Sequence, residues 1–299
     1  MVAEDITRHC DDCQRHKLPG PQHGHLPPRI ASLAPWEEVA LDLIGPWKVS
    51  VDNESYEFYA LTIIDTVTNF PDAIRLRNKT ASHVGLQFQN LWLSRYPRPI
   101  RCIHDRGTEF MGVDFQRVLQ NFGIKNVTTS VRNPQSNSIC ERLHQSVGNA
   151  LRVYLSHDPP TNIHNIAELV DNALSTSLHA SRSTIHRTLG MSPGSIVFHR
   201  DMFLNIPLRV DFAILQAKRQ IVIDDNLHRA NKRRRHHDYQ PGDECLALDP
   251  TATGKLDTRY LGPFRIVHTH TNGTVTIQRT PHVTDRVNIR QIRPYHRLP

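Results

Sequence analysis

The sequence predicts an α/β protein, a mixed five-stranded sheet with flanking helices, joined to a small C-terminal all-β barrel. Three observations carry this. Three β-rich apolar runs come first. Helical periods then alternate with two short apolar runs. Beyond a basic helical stretch, the pattern returns to short strands with a hairpin turn.

Each element has a local reason. Val39 to Leu43 is a buried strand and Phe58 to Asp65 a second, rich in β-branched and aromatic residues. Asp65 to Asn69 is turn-like and leads into a third strand, Phe70 to Leu76. Lys79 to Arg95 is predicted helical, with Val84, Phe88, Leu91 and Trp92 on one face, Thr80 or Ser82 as cap, and Pro97 and Pro99 beyond its end. Ile100 to His104 is a short strand that delivers Asp105. Met111 to Phe122 is a helix stopped by Gly123, and Ile124 to Thr128 is the fifth strand. A polar loop then precedes a long helix, Gln135 to Ser156, and another, Ile163 to Ala180. Phe212 to Arg235 is a linking helix. Glu244 to Leu248, Phe264 to Val267 and Thr274 to Ile277 are short strands, the last two joined by an Asn272-Gly273 turn.

At 299 residues the chain can hold two or three domains. Its net charge is +7, and from Asp211 onward 15 Lys/Arg face 9 Asp/Glu, so +6 of that charge lies in the last third. A basic end suits a polyanionic partner, although charge alone does not single out nucleic acid. The five cysteines are scattered and odd in number, which excludes a disulfide framework and points to a reducing compartment. No basic-then-apolar leader opens the sequence and no run nears the ~20 apolar residues of a membrane span, so an intracellular protein without a membrane partner is expected.

The most informative residues are three acids on separate segments. Asp42 lies in Glu38-Val39-Ala40-Leu41-Asp42-Leu43-Ile44-Gly45-Pro46, Asp105 in Ile103-His104-Asp105-Arg106-Gly107-Thr108-Glu109-Phe110, and Glu141 in Asn133-Pro134-Gln135-Ser136-Asn137-Ser138-Ile139-Cys140-Glu141-Arg142, with 35 residues between the last two. Three such carboxylates are what a two-metal phosphoryl-transfer site needs, because Mg²⁺ takes hard oxygen ligands. Each has a plainer role open to it: polar strand residue, strand-ending turn, solvated helix residue. Asp42, however, sits between Leu41 and Leu43, and a buried lone carboxylate is costly unless paired or bound to metal.

These frames resemble retroelement integrases, the retroviral type and more closely the gypsy-like LTR retrotransposon type. Pro35-Trp36, Gly190-Met191-Ser192-Pro193 and Tyr260-Leu261-Gly262-Pro263-Phe264 match in the same order, so the resemblance covers nearly the whole chain. It implies a ribonuclease H-like core with Asp42, Asp105 and Glu141 as catalytic Mg²⁺ (or Mn²⁺) ligands, and an SH3-like C-terminal barrel. The implied domains are a partial zinc-binding remnant and linker over 1–30, the catalytic core over 31–190, a helical basic linker over 191–237 and the DNA-binding barrel over 238–299.

Cys10-Asp11-Asp12-Cys13 supplies half of a tetrahedral zinc site. The family's two histidines lie upstream of such a pair. Here His9 adjoins Cys10, while His16, His23 and His25 follow, so Cys10 and Cys13 are expected to form a partial Zn²⁺ site at the tail of such a domain. Gln135, Asn137 and Arg142 are candidate DNA contacts at the opening of the long helix, where N–H groups and the dipole favour phosphate; helix capping is the alternative. Lys232, Arg233, Arg234 and Arg235 are candidate phosphate contacts, a nuclear localisation signal, or a solvated helix end. The family's lysines on the helix after the glutamate are replaced by Gln145 and Gly148, with His144 beside them, which changes the mode of DNA-end contact and leaves the metal site intact.

The resemblance implies 3′-end processing and strand transfer of retrotransposon DNA into target DNA, by a homo-oligomer acting on double-stranded DNA in the nucleus after a cytoplasmic particle stage. A chromatin factor is a further implied partner. A catalytically inactive, element-derived nucleic-acid-binding protein is the alternative, and a plain ribonuclease H shares the fold but not the Pro-Gln-Ser-Asn frame or the basic barrel.

Overall fold

The computed structural model describes residues 7–297 except 8, 18–19, 29, 32–33, 52–53, 129–137, 158, 250 and 253–256. In chain order the elements are α1 (Asp11–His16), β1 (Glu38–Val51), β2 (Glu54–Asp65), β3 (Pro71–Leu76), α2 (Ala81–Phe88), β4 (Arg101–His104), α3 (Thr108–Met111), α4 (Val113–Asn121), β5 (Lys125–Thr128), α5 (Ser138–His157), α6 (Ile163–Ser183), α7 (Pro193–Phe198), α8 (Phe212–Lys232), β6 (Glu244–Leu248), β7 (Tyr260–His270), β8 (Thr274–Thr280), β9 (Val283–Asn288) and β10 (Ile292–Pro294). The chain divides into two compact units, residues 31–219 and residues 1–30 with 220–299, the division falling within α8.

The first unit is the expected mixed sheet, in the order β3-β2-β1-β4-β5. β1 pairs antiparallel with β2 and parallel with β4; β4 pairs parallel with β5. Strand alternation distributes the core to both faces. Val39, Leu41, Leu61 and Ile63 point to one side and pack with Val84, Phe88, Trp92, Phe115 and Leu119. Ala40, Ile44, Ala60 and Ile64 point to the other and pack with Cys140, Leu143, Val147 and Leu151 of α5 and with Ile166, Val170 and Leu174 of α6. Asp42 falls in step with this second set.

Several elements depart from the sequence expectation for local reasons. β1 runs past Gly45-Pro46 instead of ending at Leu43: the register shifts between Ile44 and Trp47, and the hairpin with β2 then resumes. Gly45 makes this possible, with φ +117 and Phe58 O only 2.5 Å from where a Cβ would stand. The predicted Lys79–Arg95 helix is α-helical only through Phe88, then widens to a π-turn over Gln89–Leu93. Its cap is Thr80, whose hydroxyl accepts from the His83 N–H. The predicted Met111–Phe122 helix is broken at Gly112, where a Cβ would lie 2.4 Å from Ala81 Cβ, so backbone approaches α2.

The buried acids Asp65 and Asp72 have dense partners. Asp65 is fully buried and accepts from Trp36 N–H (2.9 Å), Thr68 N–H (2.7 Å) and the Thr68 hydroxyl (2.6 Å), closing the β2–β3 turn. Asp72 takes Arg182 at 3.0 Å and the Tyr96 hydroxyl at 3.0 Å.

The second unit carries an antiparallel five-stranded sheet in the order β10-β6-β7-β8-β9 around Tyr239, Cys245, Ile266, Val275 and Ile277. Its β9 and β10 were not predicted, whereas the turn at Asn272-Gly273 is where the sequence set it, with Gly273 at φ +75. The described residues before Ile30 join this unit. Asn231 binds both Leu26 N–H (2.8 Å) and Leu26 O (3.0 Å), and Gln14 exchanges two hydrogen bonds of 2.9 Å with the His296 backbone. Among the described residues no helix is long and apolar enough to cross a membrane.

Candidate active site

β1 carries Asp42 near its start, opposite Thr62 of β2. On the other side of β1 the parallel register runs Val39↔Cys102 and Ala40↔Ile103, and Asp105 directly follows the last residue of β4. α5 begins at the same end of the sheet, with Cys140, Leu143, Val147 and Leu151 as its buried stripe and Glu141 in its first turn. Burial drives the Cys140 thiol well above its usual range, and the charges of Asp42 and Glu141 push it the same way.

The acids differ in setting. Asp105 and Glu141 are exposed, while the Asp42 side chain is only 18% exposed. Asp42 Oδ1 accepts from Leu43 N–H at 2.9 Å, and Asp105 Oδ1 accepts from Gly107 N–H at 2.9 Å. A Cβ at Gly107 would lie 2.7 Å from Glu109 Oε1 and 3.0 Å from Asp105 Oδ1, so the glycine leaves room for two carboxylates.

Behind Asp42 stands a pair that sequence inspection did not single out as site residues, Thr62 and His144. The fully buried Thr62 hydroxyl donates to Asp42 O at 3.0 Å and lies 3.1 Å from His144 Nε2. With its one proton committed, Thr62 accepts from Nε2–H, which leaves Nδ1 bare and 4.0 Å from Asp42 Oδ2. Burial lowers the His144 pKa to about 4, consistent with this neutral ring. The available signal was spacing: His144 lies three residues after Glu141, on the adjoining face of one helix.

Three hard carboxylates at one end of the sheet fit a divalent cation by donor chemistry. They are not drawn into a closed cage: among the described residues, no three His, Cys, Asp or Glu side chains are gathered closely enough to hold a metal. The same holds for zinc at Cys10 and Cys13, both partly exposed free thiols.

The basic run divides. Lys232, Arg233 and Arg235 are exposed, but Arg234 is 9% exposed and turned inward. Its guanidinium donates to Gly24 O, Gln22 Oε1, His23 O (2.5 Å) and Ile289 O (3.1 Å). This corrects its assignment as a DNA contact: its donors are spent on the protein's own carbonyls. Gln135 and Asn137 lie outside the described residues; Arg142 is exposed on α5.

A five-stranded α/β core with acids on its first strand, after its fourth and at the head of a long helix, followed by an antiparallel sheet, defines the class: an integrase-like fold. No protein-family model matches the chain. It is 22% identical over 286 residues to the retrovirus-related Pol polyprotein from transposon 412 of Drosophila melanogaster, covering 87% of this chain and 22% of that polyprotein. It is 25% identical over 160 residues to the Pol polyprotein of an ovine maedi visna related virus (strain South Africa), covering 52% of this chain and 13% of the viral protein. The chain thus spans less than a quarter of the curated relatives it matches. Among solved structures, a chain of the simian T-cell lymphotropic virus intasome in complex with PP2A regulatory subunit B56 gamma superposes with a TM-score of 0.67 at 16% identity, covering 99% of this chain and 90% of that one. In sequence and in fold, then, the chain resembles retroelement integrases.

Proposed function

We propose that the chain is a metal-dependent DNA integrase that trims the 3′ ends of a retroelement's DNA and joins them to target DNA. What supports this most is where the three acids stand: Asp42 on β1, Asp105 directly after β4, the parallel neighbour of β1, and Glu141 in the first turn of α5, whose His144 lies 4.0 Å from Asp42. Asp42 and Asp105 would share the metals, Mg²⁺ or Mn²⁺, and Glu141 would hold the second. When bound, the metals supply Lewis acidity toward the attacking water or 3′-hydroxyl and toward the departing 3′ oxygen.

The protein's own part is orientation. Leu43 N–H holds one oxygen of Asp42, and Gly107 N–H one of Asp105, so each carboxylate reaches the site with a preferred rotamer. The neutral His144 ring and the Thr62 hydroxyl fill the space behind Asp42 and exclude water there. Lys232, Arg233 and Arg235, free of the inward role of Arg234, would neutralise DNA phosphates without reading bases. The same proposal includes a homo-oligomer on paired ends, nuclear action after a cytoplasmic stage, and a chromatin factor as guide.

A strand-transfer assay tests it: full chain, Mg²⁺ or Mn²⁺, a labelled duplex bearing the element's ends and a supercoiled plasmid, with Asp105→Asn as control. Joined products that vanish in the control are expected. DNA binding without joining or nicking in either metal would overturn the enzymatic proposal in favour of an element-derived DNA-binding protein.

A further inference from the structure

One residue past Glu141, Arg142 lines a cavity of about 330 Å³ bounded by α5, the end of α6 and the β2–β3 turn. Asn69, Ser146, Thr184, His186 and Arg187 also line it, and no Asp or Glu does. Neighbouring arginines are committed elsewhere: Arg182 to Asp72 at 3.0 Å, Arg75 to Asp171 at 2.8 Å, and Arg219 to Thr66 O. Arg142 and Arg187 are exposed and make no ion pair with a described carboxylate. Two polar atoms of the lining residues, Asn69 Oδ1 and His186 Nδ1, are buried without a hydrogen-bond partner. Burial, then the charges of Arg142 and Arg219, lower the His186 pKa, so the positive potential of this corner reaches into it.

Two guanidinium groups with no carboxylate partner among the described residues, a buried imidazole nitrogen able to donate and no acid in the lining make a setting for an anion with several oxygens. We propose that this cavity is a subsite for one backbone phosphate of the DNA strand engaged at the neighbouring acids, gripped by Arg142 and Arg187. The inference rests on the proposal that DNA is the substrate. Arginine forks accept phosphate geometry in a bidentate way and carry no sequence information, so the contact fixes the strand's path and leaves base choice open.

Fluorescence anisotropy of a labelled duplex against the full chain, over a series of KCl concentrations, is the test. Removing both arginines should lower the slope of log K against log[KCl] by about 0.9, the release from one phosphate, and Arg187→Ala and Arg142→Ala alone should each lower it by part of that and weaken all sequences alike. Arg187→Lys should retain most of the slope. Arg117→Ala, on α4 beside Asp114, should leave it unchanged. Wild-type slopes in both alanine variants would overturn the proposal, as would an equal fall in Arg117→Ala. Unchanged duplex binding with loss of binding to polyglutamate would assign the cavity to an acidic protein segment, and overturn it too. Joining by the wild-type chain is scored separately, so a silent enzyme with the expected slopes refutes the integrase proposal and spares the subsite, while an active enzyme with flat slopes does the reverse.

Discussion

Arg234→Met removes every donor of a buried guanidinium while keeping much of its apolar stem. Three backbone carbonyls (Gly24, His23, Ile289) and the Gln22 amide lose their donor at a residue only 9% exposed. At roughly 1 kcal/mol for each such bond, with more for a charged donor, the expected loss is about 3 to 5 kcal/mol. It falls on the unit formed by residues 1–30 and 220–299. The three tryptophans, Trp36, Trp47 and Trp92, all lie in the other unit, so their fluorescence serves as an internal control and not as the readout. Hydrogen exchange reads the right place. The Gly24 amide donates to Arg235 O at 3.0 Å and the Arg235 amide to Gln22 O at 2.7 Å, and both should exchange faster, by two orders of magnitude or so for about 3 kcal/mol. The salt slope of DNA binding should stay as in wild type. Arg233→Met should do the opposite: unchanged exchange and a shallower slope. Wild-type protection in Arg234→Met together with a flattened salt slope would refute the structural role and return Arg234 to the DNA contacts.

Gly107→Ala should leave the unfolding free energy of the core, from urea titration, within about 1 kcal/mol of wild type, because Gly107 has φ −56, yet abolish most joining, since its Cβ intrudes at 3.0 Å on Asp105 Oδ1; normal joining would sink this. Alkylation under native conditions should label Cys10 and Cys13 and spare the buried Cys102, Cys140 and Cys245 until urea unfolds the chain, and early labelling of Cys140 would contradict its packing. Acid should weaken both units in one window. His144 and His23 have folded pKa values of about 4, below the 6.5 of the unfolded chain, so the unfolded state takes up the proton first and stability falls as pH drops from 6.5 toward 4. His144→Gln should flatten that fall when urea unfolding is followed by tryptophan fluorescence, and an unaltered pH profile would show that the ring is not buried neutral.

What was legible in the sequence follows the range of the interaction that decides it. The apolar run of Val39 to Leu43 and the β-branched and aromatic run of Phe58 to Asp65 are local properties, and both strands were found. Gly45-Pro46 looked like a strand end because its local preference is a turn; only pairing with Phe58 turns it into a bulge inside a longer strand. β9 escaped because Val283-Thr284-Asp285-Arg286-Val287-Asn288 is mostly polar, as befits a strand at one end of the sheet order, and β10 is only three residues long. The acids stood out by type and spacing. Their supports did not, since Thr62 meets His144 only through the β1–β2 register and the rotation of α5.

Arg234 shows the limit most sharply. Lys232 to Arg235 is uniform as a string, and any rule acting on charge alone must treat its members alike. Desolvating a guanidinium is tolerated only where carbonyls are already fixed to receive it, and those carbonyls lie at residues 22 to 24 and 289, some 210 and 55 positions away in the chain. The helix ends at Lys232, so Arg234 leaves the line of its neighbours and the chain can turn it inward. If this run meets DNA as proposed, three of its charges and not four are exposed to do so, and the salt dependence of binding, which counts phosphates neutralised, is the observable that registers the difference.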